Sequence, residues 1–400
     1  MSPSQQRLIV LLVALSAFGP MSMSIYTPSM PDIGRAFAAT DEQVKLTLTT
    51  FLLGFSAGQM IYGPLSDRFG RRPVLIAGVL VYAAMGLACA FATSIDMLIG
   101  LRLFHGIGVC SGAVVARAIT RDTFGHEGAA RVIAWIALGI NVAPAVAPII
   151  GGHLTGWFGW QSIFLFLAAF GFVVLVAVLV ELKESNPYLG QNAGILNTLR
   201  QCGPMLANRR YMGFVIAIGA TFGAMFAYVV ASPFVLMKMI GLAPETYGYW
   251  ILTSVAGFTC GSFIATRVVG RLSPDRAILI GLIVATLGCA LMLVLALLGR
   301  LHVLTIVGPY FVVATGCGMT MAHAYAGGVN QFPRQAGTAS SLMGALQMSG
   351  AALATALVTA FTDGTQMPMI WVMLGCAVIG LVATLTLLNP WHRHNLINPG

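Results

Sequence analysis

The sequence predicts an all-α membrane protein of twelve transmembrane helices arranged as two six-helix bundles. Three observations carry that expectation. Hydrophobic residues make up 58% of the 400-residue chain and charged ones 8%, against about 25% charged in soluble domains. The apolar segments run for roughly 20 residues, enough for a helix to cross about 30 Å of hydrocarbon. Charge is confined to the short stretches between them.

Each run is bounded by charge, proline or glycine. The expected spans lie at about 8–30, 46–64, 73–94, 97–119, 131–152, 160–181, 211–236, 247–266, 276–299, 302–325, 338–361 and 367–389. Arg7 ahead of the first run gives it the look of a secretory leader. The run continues to about Met30, however, beyond the apolar core of a leader, so it reads as a retained span. The polar stretch Leu182–Arg210 reads as a linker on the membrane surface. It divides the chain into an N-terminal half, residues 1–181, and a C-terminal half, residues 211–400. Gly261, Arg267, Gly270 and Arg271 after span eight echo the loop Gly63–Arg72 after span two, without its acid.

Loop charge sets the orientation. With both termini cytoplasmic, the loops on that side carry Arg68, Arg71, Arg72, Arg117, Arg121, Arg131, Lys183, Arg200, Arg209, Arg210, Arg267, Arg271, Arg276 and Arg334, and the tails add Arg7 and Arg393. The opposite face keeps only Arg35, Lys45, Lys238 and Arg300. This positive-inside bias accounts for the net charge of +9 without a nucleic-acid partner. The seven cysteines form no CxxC pair and read as packing residues, not as a metal site or disulfide framework. HExxH, GxSxG and Walker motifs are absent, so the sequence implies no metal, no cofactor and no direct use of ATP. A membrane-embedded enzyme would need a nucleophile, a base and an orienting group at one depth, and His105 and His323 sit in different halves without a buried carboxylate. No filter-like repeat or charged ring suggests a channel.

The stretch GPLSDRFGRR, Gly63 to Arg72, sets an acid and three arginines between two membrane-length runs. It is similar to the signature between helices two and three of the major facilitator superfamily, with Gly63, Leu65, Asp67, Arg68, Gly70, Arg71 and Arg72 at the matching positions. The resemblance implies two pseudo-symmetric halves rocking around a central site. It also implies a cytoplasmic gate built from Gly63, Asp67, Arg68, Gly70, Arg71 and Arg72. Asp67 is expected to pair with Arg117 or Arg121, or to face the positive N-terminus of span eleven near Gly337–Thr338. Such contacts form only when the halves close on the inside.

Span four reads LRLFHGIGVCSGA, Leu101 to Ala113, and resembles the superfamily's motif for that helix, with His105 where glutamine is common. An arginine at the centre of a span costs about 2.5–3.5 kcal/mol on insertion scales, so Arg102 is expected to face a cavity or a partner rather than to snorkel outward. Span five carries APAVAPIIGG, Ala143 to Gly152, where Pro144 and Pro148 kink the helix. With Gly151 and Gly152 it resembles the antiporter motif of superfamily exporters, although alanine stands at its leading glycine. Ile25–Pro31, Ser232–Trp250 and Gln331–Gln347 resemble the bicyclomycin/chloramphenicol-resistance (Bcr/CflA) branch of drug:proton antiporters, and the resemblance spans nearly the whole chain.

That branch implies a secondary active transporter in the bacterial inner membrane, a monomer that exports small amphipathic drugs of the amphenicol or bicyclomycin kind in exchange for protons. A dedicated metabolite or siderophore exporter, or a weakly coupled facilitator, is the alternative. The chain departs from the branch at Ser24, where an aspartate is usual. All twelve acids lie near span ends or in loops, which leaves His105, His323 and Asp32 as candidate proton carriers. The substrate cavity is expected between spans one, two, four and five and spans seven, eight, ten and eleven. Its candidate lining is Tyr26, Gln59, Arg102, His105, Asn141, Phe222, Tyr228, Tyr310, His323, Tyr325 and Gln347. Aromatics and the 20 methionines suit adaptable binding of apolar compounds. Arg102 without a buried acid favours neutral or anionic substrates over lipophilic cations.

Overall fold

The computed structural model describes residues 3–186, 195–268 and 272–388. Gly270, Arg271 and Arg393, which entered the repeat and charge arguments, lie outside the described residues, as do the side chains of Glu127 and Arg334. Twelve helices among the described residues are long and apolar enough to cross a membrane. Spans one to six are Gln5–Ala36, Asp41–Phe69, Arg71–Ala90, Ile95–Gly125, Arg131–Phe158 and Gln161–Glu181. Spans seven to twelve are Arg209–Met239, Pro244–Arg267, Pro274–Leu297, Val303–Val329, Ala336–Ala360 and Met367–Leu388.

Local chemistry sets many of the boundaries. Thr40 caps span two through a reciprocal box with Gln43, and Ser94, Asn208 and Ser273 accept backbone N–H groups at the starts of spans four, seven and nine. Gly125, at φ +60°, ends span four, where only glycine enters left-handed backbone cheaply. Span one is not continuous. Its helix stops at Ser24, and a buried 3-10 turn, Thr27–Ser29, precedes a second helix, Met30–Ala36. Pro28 and Pro31 remove two backbone donors there. The Thr27 and Ser29 hydroxyls donate to the Ser24 and Tyr26 carbonyls at 2.9 and 2.7 Å, satisfying part of what the break exposes.

Within the first half, spans one, two and three pack on span four, span one packs also on span five, and span six packs on span three. In the second half, span seven packs on eleven and twelve, and span ten on eight and nine. The halves meet along two seams, span two against eleven and span five against eight. A separate helix, Ile195–Ala207, lies between spans six and seven. It buries Cys202 and Met205 and touches spans two, seven and eleven, so this linker helix bridges both halves.

Candidate functional site

The end of the molecule bearing Gly63–Arg72 is here called the motif face. Gly70, at φ 99°, makes the turn between spans two and three. Asp67 pairs with Arg71 one helical turn on, not with Arg117, Arg121 or span eleven. Arg71 is the hub: its Nη1 donates to Ser66 at 2.7 Å and its Nε to Asp122 Oδ2 at 2.9 Å. Arg117 instead donates to Gln59 Oε1 at 3.3 Å. Arg121 is the residue that reaches span eleven, its Nη1 lying 3.7 Å from where a Cβ of Gly337 would be. Arg71 follows Asp67 by four residues, across the turn at Gly70, which brings it within reach whatever the arrangement of the two halves. Arg68 is exposed over the Phe69 ring, and Gly63 has open space around it.

The motif is held from the other side by the segment after span six. Glu184 accepts the backbone N–H groups of Arg71 and Arg72 at 2.9 and 3.1 Å, capping a helix that has no local side-chain cap. Asn186 Nδ2 donates to the Asp67 carbonyl at 2.9 Å. Burial alone would raise the Glu184 carboxyl. The N–H groups of Asn186, Arg71, Arg72 and Ser185 outweigh that and hold it below the usual carboxylate range.

The opposite face is closed. Lys238 of span seven donates to both carboxylate oxygens of Asp41 at 2.9 and 3.1 Å, and Lys45 of span two donates to Thr362 at 2.8 Å. Deeper in the same seam, Thr49 meets Thr355 at 2.9 Å, and Ser56 meets the Ala345 carbonyl and Ser349 at 2.8 and 2.9 Å. The other seam closes through small residues. A Cβ on Gly152 would overlap the Pro244 carbonyl, and one on Gly151 would overlap the Ile25 carbonyl at the break in span one. A Cβ on Gly248 would lie 2.7 Å from both Pro148 O and Ile149 Cα. The proline–glycine segment of span five is thus where backbones of spans one, five and eight approach most closely. Spans four and ten do not pack together, and spans five and eight are the least buried of the twelve.

Residues 12–355 match the sequence model of the Major Facilitator Superfamily. The chain belongs to that superfamily. It is 31% identical over 380 residues to an uncharacterised MFS-type transporter, YdgK, of Bacillus subtilis, covering 94% of each chain. It is 29% identical over 382 residues to a bicyclomycin resistance protein homolog of Haemophilus influenzae, again covering 94% of each. Among solved structures, a bacterial homolog of the human lysosomal transporter Spinster, in an inward-facing, unoccupied conformation, superposes with a TM-score of 0.77. Its identity is 16%, over 98% of this chain and 100% of that one. Helix count, family and structural likeness agree on a multi-pass transporter of the major facilitator fold.

Within that fold the candidate residues separate into three places. Gln59 lies on the span two–eleven seam, 3.2 Å from the Cβ position of Gly344, and Gln347 is buried on span eleven. Asn141 is exposed on span five, and Phe222 is half-buried, stacked on Phe226. His323 keeps 9% exposure, with Nδ1 3.1 Å from the Met319 carbonyl, and Tyr325 bonds Ser340 at 2.7 Å. Tyr228 and Tyr310 are buried and stacked on each other, ring centroids 3.4 Å apart.

Arg102, His105 and Tyr26 form the third place, sealed inside the first half with no exposed surface. The guanidinium lies 4.1 Å over Phe51, 4.6 Å over Tyr26 and 5.8 Å from Phe164, and its Nη1 sits 3.0 Å from His105 Nδ1. His105 stacks on Tyr82, whose hydroxyl meets Ser22 at 3.0 Å. Aromatic faces take the place of a carboxylate here. Arg102 Nε and Nη2 and His105 Nε2 have no hydrogen-bond partner among the described residues. Asp32, the remaining proton candidate, pairs with Arg35 at the end of span one. Sequence reasoning missed Glu184, Asn186 and the Lys238–Asp41 pair. Each joins residues more than 100 positions apart, and only the spacing of the preceding spans hinted at their shared faces.

Proposed function

We propose that this chain is a secondary exporter that carries small amphipathic drugs, of the amphenicol or bicyclomycin kind, out of a bacterial cytoplasm by alternating access. The observation that carries the reading is the closure of the face opposite the motif, where Lys238 pairs with Asp41 and the backbones of spans five and eight meet. Since the motif face carries most of the basic loop residues, it is the cytoplasmic side, both termini included, and this conformation faces inward to receive substrate. The name of the Haemophilus influenzae relative supports the substrate class. The resemblance of the span-five segment to the antiporter motif of superfamily exporters supports outward direction. The domain division at 1–181, 182–210 and 211–400 follows the same two rocking bodies, and the working unit is a monomer.

Protons enter through His323. Its Nδ1 faces a carbonyl, which only accepts, so Nδ1 bears the hydrogen and Nε2 keeps a free lone pair. His105 is set the other way: Nδ1 accepts from Arg102, and adding a proton there would set two cations 3.0 Å apart. The substrate contacts fall to residues of the seam and cleft, Gln59, Asn141, Phe222, Tyr325 and Gln347, with the Tyr228–Tyr310 pair behind them. Asp67 and Arg71 work as a cytoplasmic gate, Asp67 exchanging its present partner for Arg121 or span eleven when the halves close inside. A weakly coupled facilitator or dedicated metabolite exporter is the second reading, favoured by the position of every acid near a span end or in a loop.

The test is drug accumulation in efflux-deficient bacteria expressing the protein, with neutral, anionic and cationic compounds, with and without a protonophore. Lowered accumulation that the protonophore restores, and that His323→Gln abolishes, supports coupled export. Unchanged accumulation across the panel rejects the multidrug reading in favour of a single metabolite.

A further inference from the structure

Outside the transport pathway, the motif face holds a cavity of about 670 Å³ between the linker helix and the connection from span ten to span eleven. Arg200, Gln201 and Pro204 line one side, and Gln331, Phe332 and Gln335 the other. Its chemistry is one-sided. Arg200 makes no ion pair among the described residues, and no carboxylate lines the space. Gln201 Oε1 accepts from Thr338 at 3.1 Å, and an amide whose oxygen is occupied still offers its N–H₂ group. Gln335 adds a second amide. Phe332, held edge-on by Tyr211 at 5.4 Å, and Pro204 form an apolar side.

We propose that this cavity binds the phosphate headgroup of an anionic phospholipid, with Arg200 on the phosphate, the Gln201 and Gln335 amides on its oxygens or glycerol hydroxyls, and the first acyl carbons against Phe332 and Pro204. A guanidinium matches phosphate geometry with two parallel N–H donors. The linker helix buries Cys202 and Met205 while Arg200 and Pro204 face out, the disposition of a helix lying in the membrane interface. On a face already crowded with basic residues, anionic lipid is concentrated by the surface potential. Because the linker helix also touches span two in the other half, lipid held here ties the linker to the second half and favours the present conformation.

The test titrates detergent-purified full-length protein with short-chain phosphatidylglycerol and follows the thermal-unfolding midpoint. Phosphatidylcholine of equal chain length and glycerol 3-phosphate are run in parallel. Phosphatidylglycerol alone should raise the midpoint, and Arg200→Gln should weaken the apparent affinity roughly tenfold, the loss of one charge-assisted contact. Arg209→Gln, a charge change on the same face outside the cavity, should leave it unchanged. If Arg200→Gln fails to fold, Phe332→Leu serves in its place with a smaller loss. An equal response in Arg200→Gln and wild type, an equal response to phosphatidylcholine, or saturation by glycerol 3-phosphate alone would each overturn the proposal. Loss of lipid binding with drug export intact, or the reverse, separates this site from the transport function.

Discussion

Substituting Gly248 by alanine should drive the protein away from the conformation described above. The added Cβ would sit 2.7 Å from both Pro148 O and Ile149 Cα, about 0.7 Å short of the 3.4 Å at which ordinary contact begins. Both obstacles are backbone, so no side chain can swing aside. Overpacking of this kind costs about 1–3 kcal/mol. The helix propensity gained on replacing glycine is common to every conformation and cancels from their ratio. The cost falls only on states in which spans five and eight touch, so the population ratio should shift roughly 5- to 150-fold toward an open opposite face. Spin labels at Ala36→Cys and Arg300→Cys, both exposed on that face, would report the change as a longer distance population. Gly308→Ala, where nothing lies within 4 Å, is the control and should change nothing. Identical distance distributions for Gly248→Ala and Gly308→Ala would refute the claim that this seam is the closure.

Arg102→Met should raise the thermal midpoint. Replacing a buried charge that lacks a counter-ion by an apolar side chain of similar length stabilises by about 1–4 kcal/mol. A lower midpoint would contradict that. Glu184→Gln should lower stability at neutral pH and flatten its acid dependence. The folded carboxyl lies below its unfolded value, so its contribution is present above about the ordinary 4.5 and is lost as pH falls through the folded value. Midpoints of wild type and variant should therefore converge in acid, and a constant gap from pH 7 to pH 3 would exclude the capping role. Lys238→Ala should act in the same direction as Gly248→Ala but less than about fivefold in population, since an exposed pair is worth about 0–1 kcal/mol. A shift as large as that of the glycine variant would show that the ion pair, not backbone packing, holds the face shut.

The twelve spans were legible because a run of roughly 20 apolar residues has no other stable use; most boundaries moved outward by up to about two turns, while span three ends earlier than expected, at Ala90. The break in span one was not read, although Pro28 and Pro31 mark it, because a long apolar run masks a turn whose polar groups are satisfied internally. Arg102 and His105 show the sharper limit. Their depth followed from sequence position, but the direction each faces depends on helix rotation, and the structure turns both into their own bundle, onto aromatic rings. Asp67 illustrates a third kind of miss: the expected partners lay on other helices, and the structure pairs it instead with Arg71, four residues along its own motif. Glu184 gave no signal at all, since a carboxylate capping a helix 112 residues away leaves no periodicity behind.

The central claim is proton-driven export, and purified protein in liposomes tests it without other pumps. With a pH gradient as the sole driving force, an amphenicol loaded on the motif-face side should move against its concentration as protons move the other way. His323→Gln should stop the uphill movement while leaving exchange down a gradient. Uphill movement unaffected by His323→Gln would contradict the assignment of the proton carrier. No drug movement under any gradient would contradict the account as a whole.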